Sequence, residues 1–135
     1  MRIGLVSDVH CDVPGLTAAL ERLEDMDLLL CAGDMVLQYR FSDGVVALLR
    51  EREGLAIQGN HEKIVLSPHG DGVRRAGQGT PEHWAWLAAQ PAQRRLDVDG
   101  YRLLLAHGAP WDEPPSYHVL PCARVPGTQR SRKPL

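Results

Sequence analysis

Six residues of the 135-residue chain have side chains and spacing suited to chemistry: Asp8, His10, Asp34, Asn60, His61 and His107. They fall in four short blocks, DVH at 8–10, GD at 33–34, GNHE at 59–62 and HG at 107–108. Two carboxylates, an amide oxygen and up to three imidazoles form a mixture that suits Mn²⁺, Fe or Zn²⁺, without the thiolates of a structural zinc site. A carboxylate set between two such cations can bridge them. A bridged pair activates water and clamps both oxygens of an in-line phosphoryl displacement. A phosphate ester is the natural ligand of the net positive charge left over.

Each block follows a segment that reads as a buried strand. Arg2 to Ser7, Asp27 to Cys31 and Leu55 to Gln58 are short apolar runs. Between them, Pro14 to Leu23 places Leu16, Ala19, Leu20 and Leu23 on one helical face, and Ser42 is the N-cap of a helix through Arg52. Strand, helix, strand, helix, strand with short connections predicts a parallel sheet in an α/β fold. In such a sheet the strand ends lie along one edge, where open α/β sheets bind ligands. Leaving its strand in extended form, the chain would turn Asp8 and His10 to a common point. Ser67 to Thr80, rich in Gly and Arg, reads as an excursion loop, and Pro81 to Gln90 as a helix. Arg95 to Val98 and Tyr101 to Ala106 flank Asp99-Gly100, a strong hairpin signal.

Taken one at a time, these residues have ordinary readings. Asp after a strand commonly starts a turn, and Asn60 suits a left-handed turn position. Their joint placement at successive strand ends is what points to a site. Glu62 reads as a helix cap or a partner for His61. His69 and His83 read as exposed, Arg74 and Arg75 as solvated charges, and Trp84, Trp86 and Leu87 as core or interface. The Gly-rich stretch from Gly70 to Gly79 lacks the order of a phosphate-binding P-loop.

Composition sets the outer bounds. The length fits one domain, and 44% hydrophobic with 24% charged residues is ordinary for a globular chain. Apolar runs such as Met26 to Ala32 are far shorter than the roughly 20 residues of a membrane span, and no signal-peptide pattern opens the chain, so the expectation is a cytoplasmic protein with no membrane partner. Cys11, Cys31 and Cys122 form no CxxC pair and read as free thiols. Net charge is −2 overall, yet residues 121–135 carry Arg124, Arg130, Arg132 and Lys133 without an acid. That basic segment is expected to be a disordered tail following a domain over 1–120, and contact with nucleic acid stays open.

The four blocks, in order and spacing, resemble the calcineurin-like metallophosphoesterases, particularly the small bacterial and archaeal phosphodiesterases that read HGxPW where this chain has HGAPW at 107–111. The resemblance covers about the first 120 residues. It implies a four-layer αββα sandwich, a phosphoesterase acting on diesters or small monoesters, and two divalent metal ions, manganese first, with iron, nickel or zinc as alternatives. Carried over by position, Asp8 and His10 would ligate one metal, Asp34 would bridge, and Asn60 and His107 would ligate the other. His61 would contact the phosphate and protonate the leaving oxygen, with a metal-bridging hydroxide as nucleophile. The family's fifth block, GHxH, does not occur in this sequence; beyond His107 the only histidine is His118. The expectation is a chain shortened or altered after about Pro121, lacking the last strands, binding metal weakly and turning over slowly. A short form that recruits His118, another subunit or water is the alternative, so homo-oligomerisation is open. A non-catalytic scaffold that keeps the fold is the rival reading.

Overall fold

The computed structural model describes residues 1–109. Three parallel strands, β1 (Ile3–Val6), β2 (Leu28–Cys31) and β3 (Leu55–Ala56), form a sheet in the order β1-β2-β3. Helices α1 (Val13–Arg22) and α2 (Asp43–Glu51) make the two crossovers and pack on the same face, as right-handed connections between successive neighbours require. Asp12 caps α1 by accepting the Gly15 N–H at 2.9 Å, and Ser42 caps α2 by accepting the Val45 N–H at 3.2 Å. β3 is two residues shorter than expected because the Gln58 N–H leaves the ladder for the Pro91 carbonyl, 2.8 Å away.

The two faces of the sheet have separate cores. Leu29, Cys31 and Ala56 meet Leu16 and Leu20 of α1 and Val45, Val46 and Leu49 of α2. On the opposite face Leu30 and Ile57 meet Leu105, with Leu96 packed against them. Leu96 and Leu105 belong to the hairpin of β4 (Gln93–Val98) and β5 (Tyr101–Ala106), which pairs antiparallel across Asp99-Gly100 as the sequence predicts. Among the described residues the layers are therefore helices, parallel sheet and hairpin. Each aliphatic side chain fully buried between them contributes about 1.5–3 kcal/mol. Among the described residues β1 is an edge of its sheet, and its Ile3 and Leu5 are 37% and 60% exposed on the hairpin side.

The segment expected to be a loop contains helix. After α3 (Asn60–Leu66) come a single 3-10 turn over Pro68–Gly70 and the short α4 (Asp71–Arg75). Their glue is Arg74, whose guanidinium donates to the carbonyls of Val65 and Ser67, each at 2.8 Å, and to Asp71 Oδ1 at 2.6 Å. It also lies 5.3 Å from the centroid of the Trp84 ring. Arg74 is thus a structural clamp on the end of α3 rather than a solvated charge. Trp84, on α5 (Pro81–Ala88), stacks on Phe41 with centroids 4.3 Å apart and donates its indole N–H to Gln78. His83, expected to be exposed, has a side chain only 16% exposed that pairs with Asp43 at 2.5 Å, tying α5 to α2.

Candidate metal centre

The loops that leave β1, β2 and β3 meet at one rim. The parallel pairing of β1 and β2 continues past the strands in irregular form, with the N–H groups of Asp8, His10 and Cys11 donating to the carbonyls of Gly33, Asp34 and Met35, each at 3.0 Å. This register holds three would-be donors in the left-handed region: φ is 54° at Asp8, 49° at His10 and 54° at Asp34. Such conformations cost about 1–3 kcal/mol each and persist only where their surroundings fix them. Asp8 and His10 therefore converge through left-handed bends rather than an extended exit, and His10 Nε2 lies 3.8 Å from Asp8 Oδ1. Gly33, at φ 95°, lies so close to the β3 exit that a Cβ there would stand 2.7 Å from the Gly59 nitrogen.

Asp34 is the hub and is 2% exposed. Its Oδ1 accepts the His61 N–H at 3.0 Å, at the N-terminus of α3. Its Oδ2 faces His10 Nε2 at 3.4 Å, His107 Nε2 at 3.4 Å and His61 Nε2 at 3.9 Å. Burial alone would raise the Asp34 pKa, but the His107 imidazole, the His61 N–H and His10 bring it below the usual carboxylate value. Asn60 is the first residue of α3, not a left-handed turn residue, and its Oδ1 lies 3.0 Å from His107 Nε2. His107 reaches this point from the end of β5, in the hairpin layer, and its Nδ1 donates to the Ala32 carbonyl at 2.7 Å.

Two donor triplets result, Asp8 with Asp34 and His107, and His10 with Asp34 and His61, each with ligand atoms within 4.8 Å of one another. Asp34 belongs to both. Carboxylate and imidazole, with the Asn60 oxygen alongside, fit a pair of divalent cations by donor chemistry. Neither described thiol competes: Cys11 donates to the Arg40 carbonyl, and burial pushes Cys31 up to about 12. With Nδ1 committed to Ala32, His107 presents Nε2 to a cation when deprotonated, and donates from both nitrogens when protonated.

The partnership with Asp34 comes first in raising His107 to about 9, against burial, which lowers it. A raised imidazole pKa adds stability that is complete below the unfolded value of about 6.5 and is lost as pH rises through about 9. Metal-free protein should therefore melt at progressively lower temperature across that window, while Mn²⁺ affinity rises as the competing proton leaves. Chelator-treated thermal melts and Mn²⁺ titrations at several pH values check both trends.

Two parts of the site go beyond the sequence reading, which had Glu62 as a helix cap or a partner for His61. Glu62 is fully buried, and its carboxylate accepts the N–H groups of Asp34 at 2.7 Å, Gly59 at 2.8 Å and Val36 at 3.0 Å. One side chain thus holds both the GD and GNH loops. Burial, the largest influence, raises its pKa, with the N–H groups opposing. The spacing Gly59-x-x-Glu62, which lets a side chain reach back to its own helix start, was the available signal. The second part is the Gln38 N–H, which donates to His61 Nδ1 at 3.1 Å and leaves the imidazole proton on Nε2. His69 is exposed in the 3-10 turn and joins no donor triplet among the described residues. His118, Cys122, the domain boundary at 120 and the basic segment 121–135 lie outside the described residues.

This rim lies at the ends of three parallel strands and a hairpin. Residues 1–126 match the family model of the calcineurin-like phosphoesterase superfamily domain, and the chain belongs to that superfamily. Among solved structures it is similar to a metallophosphoesterase from Sphaerobacter thermophilus, with 25% identity and a TM-score of 0.59 over 73% of this chain and 44% of that one. The fold is also that of a protein provisionally described as a diadenosine tetraphosphatase, with 24% identity and a TM-score of 0.66 over 80% of this chain and 50% of that one. A third similar fold is the hypothetical protein PH1004 from Pyrococcus horikoshii OT3, with 17% identity and a TM-score of 0.70 over 90% and 60% of the two chains. The chain thus spans about half the length of the solved proteins it resembles. No curated protein matches it. Among the described residues no helix is long and apolar enough to cross a membrane.

Proposed function

We propose that the protein is a metal-dependent phosphoesterase acting on phosphodiesters or small phosphomonoesters with two divalent cations, manganese first. The observation that supports this most directly is Asp34: a nearly buried carboxylate common to two donor triplets, with its pKa held down by imidazoles and an N–H. On the family's pattern Asp8 and His10 would hold one cation, Asn60 and His107 the other, and Asp34 both, so the donors would divide differently from the two triplets and His61 would be left to the substrate. Bound there, the cations would lower the pKa of water and offset the charge of the phosphate.

The chain's own residues do the rest. The Gln38 N–H on His61 Nδ1 fixes the tautomer that carries its proton on Nε2, the nitrogen turned toward Asp34. From there the His61 Nε2–H can donate a hydrogen bond to a phosphate oxygen or to the leaving oxygen as negative charge develops on it. The His61 backbone N–H, on Asp34 Oδ1, keeps the carboxylate from rotating away. Glu62 holds the loops that carry Asp34 and Asn60 in register, so substrate binding need not order them.

Hydrolysis of bis-p-nitrophenyl phosphate, with metal content measured on the same sample, tests the reading. The expected result is Mn²⁺-dependent turnover that a chelator abolishes and that His61→Ala lowers by about 10²–10³-fold, the loss that follows removal of one preorganised hydrogen-bond donor. Turnover indifferent to chelation and to His61→Ala would overturn it.

A further inference from the structure

Strand β1 turns half of its backbone away from any neighbouring strand among the described residues. The carbonyls of Arg2 and Val6 accept N–H groups from the β2 segment, and the Asp8 N–H donates to Gly33, so the even-numbered residues face β2. By the alternation of a strand, the N–H and C=O groups of Ile3, Leu5 and Ser7 point off the edge of the sheet. Natural proteins blunt such edges with lysine, proline, charge or a bulge. Ile3-Gly4-Leu5-Val6-Ser7 carries none of these, its register with β2 is regular, and Leu5 is 60% exposed.

The helix beside that edge is open in a matching way. Two hollows along β1 share Leu5, Val6, Gly15 and Ala19 as walls, with Asp12 in one and Arg22 in the other. Positions 12, 15, 19 and 22, spaced by three and four residues, follow one face of α1 and its cap. That face is acidic at its start, small in the middle and basic at its end. Turned end for end it meets itself, Asp12 against Arg22 and Gly15 against Ala19.

We propose that the protein forms a two-fold dimer in which β1 pairs antiparallel with β1 of a second copy. Leu5 then lies opposite Leu5 of the second copy and exchanges both backbone hydrogen bonds with it, while Ile3 lies opposite Ser7. The two three-stranded sheets join edge to edge. An axis perpendicular to the joined sheet also sets the two α1 helices side by side and antiparallel on one face. Gly15 and Ala19 let them approach, and the Asp12–Arg22 contact forms twice. Strand and helix call for the same axis, because the hollows put Leu5 level with Gly15 and Ala19, the centre of both patterns. A foreign strand could use the backbone edge, but only a second copy supplies the complement of the helix face as well. The pairing does not depend on the metal centre.

Sedimentation of the full chain over a micromolar concentration series should show a species of twice the 14.9 kDa chain mass. Leu5→Lys, which sets like charges directly opposite each other, should leave only monomer with an unchanged far-UV spectrum. Arg22→Glu should weaken the dimer by about tenfold at low salt, because two attractive contacts become repulsive. Cysteine cross-linking reads the register, and still decides the matter if Leu5→Lys fails to fold. In a Cys122→Ser background, with Cys11 and Cys31 buried, Leu5→Cys should form a disulfide-linked dimer on oxidation. Directly opposed Cα atoms in such a pair are about 5.5 Å apart, within disulfide reach. Ile3→Cys should stay unlinked, since its counterpart lies four residues along the strand, about 13 Å away. A monomer at every concentration would mean that another segment or partner meets the edge, and would overturn the proposal. So would assemblies larger than a dimer, a dimer indifferent to Leu5→Lys or Arg22→Glu, or Ile3→Cys linking as readily as Leu5→Cys.

Discussion

Glu62→Ala should cost about 3–5 kcal/mol of folding stability, enough to unfold much of a domain whose total is about 5–15 kcal/mol. Three buried N–H groups, on Asp34, Val36 and Gly59, lose their acceptor at once. Each such orphaned donor costs about 1–3 kcal/mol, less whatever water can recover by entering the space the carboxylate leaves. Because the alanine variant can fail to fold, Glu62→Gln is the informative partner. It keeps the volume and one acceptor oxygen but turns an amide NH₂ toward at least one N–H. It should fold with a lowered melting temperature and lose about 10–100-fold in Mn²⁺ affinity, the range found when groups behind metal ligands are altered. Denaturant titration and metal titration of that variant read the two effects separately. A fall in stability with undiminished metal affinity would mean that Glu62 holds the fold but not the site.

Asp34→Asn should leave the fold in place and reduce Mn²⁺-dependent hydrolysis by about 10²–10³-fold, as removal of a preorganised charged group does. The amide keeps an oxygen for the His61 N–H, so that bond survives. What is lost is the charge that faces His10, His61 and His107 together. His107 reports that loss directly. Its pKa of about 9 depends foremost on Asp34, so in the metal-free variant it should fall back toward the ordinary imidazole value, readable by NMR titration. The same variant separates the enzyme from a scaffold that keeps only the fold. Partner binding by a scaffold would survive Asp34→Asn, while an enzyme would be crippled.

The frame of the fold was legible because its elements are local. Apolar runs of four or five residues, the i, i+3, i+4, i+7 face of α1, Ser42 before α2 and Asp99-Gly100 between β4 and β5 each announce themselves within a few residues. The candidate site was legible for a related reason: every strand exit carries a polar block, and a parallel sheet aligns its exits. What remained hidden depends on contacts between residues far apart. That Asp8 and His10 bend through left-handed conformations follows from hydrogen bonds to the β2 exit, which no local pattern encodes. The α4 segment looked like a loop because its glycines mask a short helix held by Arg74 against α3 and Trp84. His83 looked exposed because its partner, Asp43, lies 40 positions away. Of the two readings of Glu62, a helix cap or a partner for His61, the cap holds, but two of its three donors come from the β2 exit.

Diffraction from crystals grown with millimolar Mn²⁺, recorded at the manganese absorption edge, tests most directly whether these side chains hold a pair of cations. Two anomalous peaks should appear within coordination distance of Asp34, one also touching Asp8 and His10 and the other Asn60 and His107. A well-ordered rim without manganese, or a single peak that Asp34 does not touch, would contradict the account.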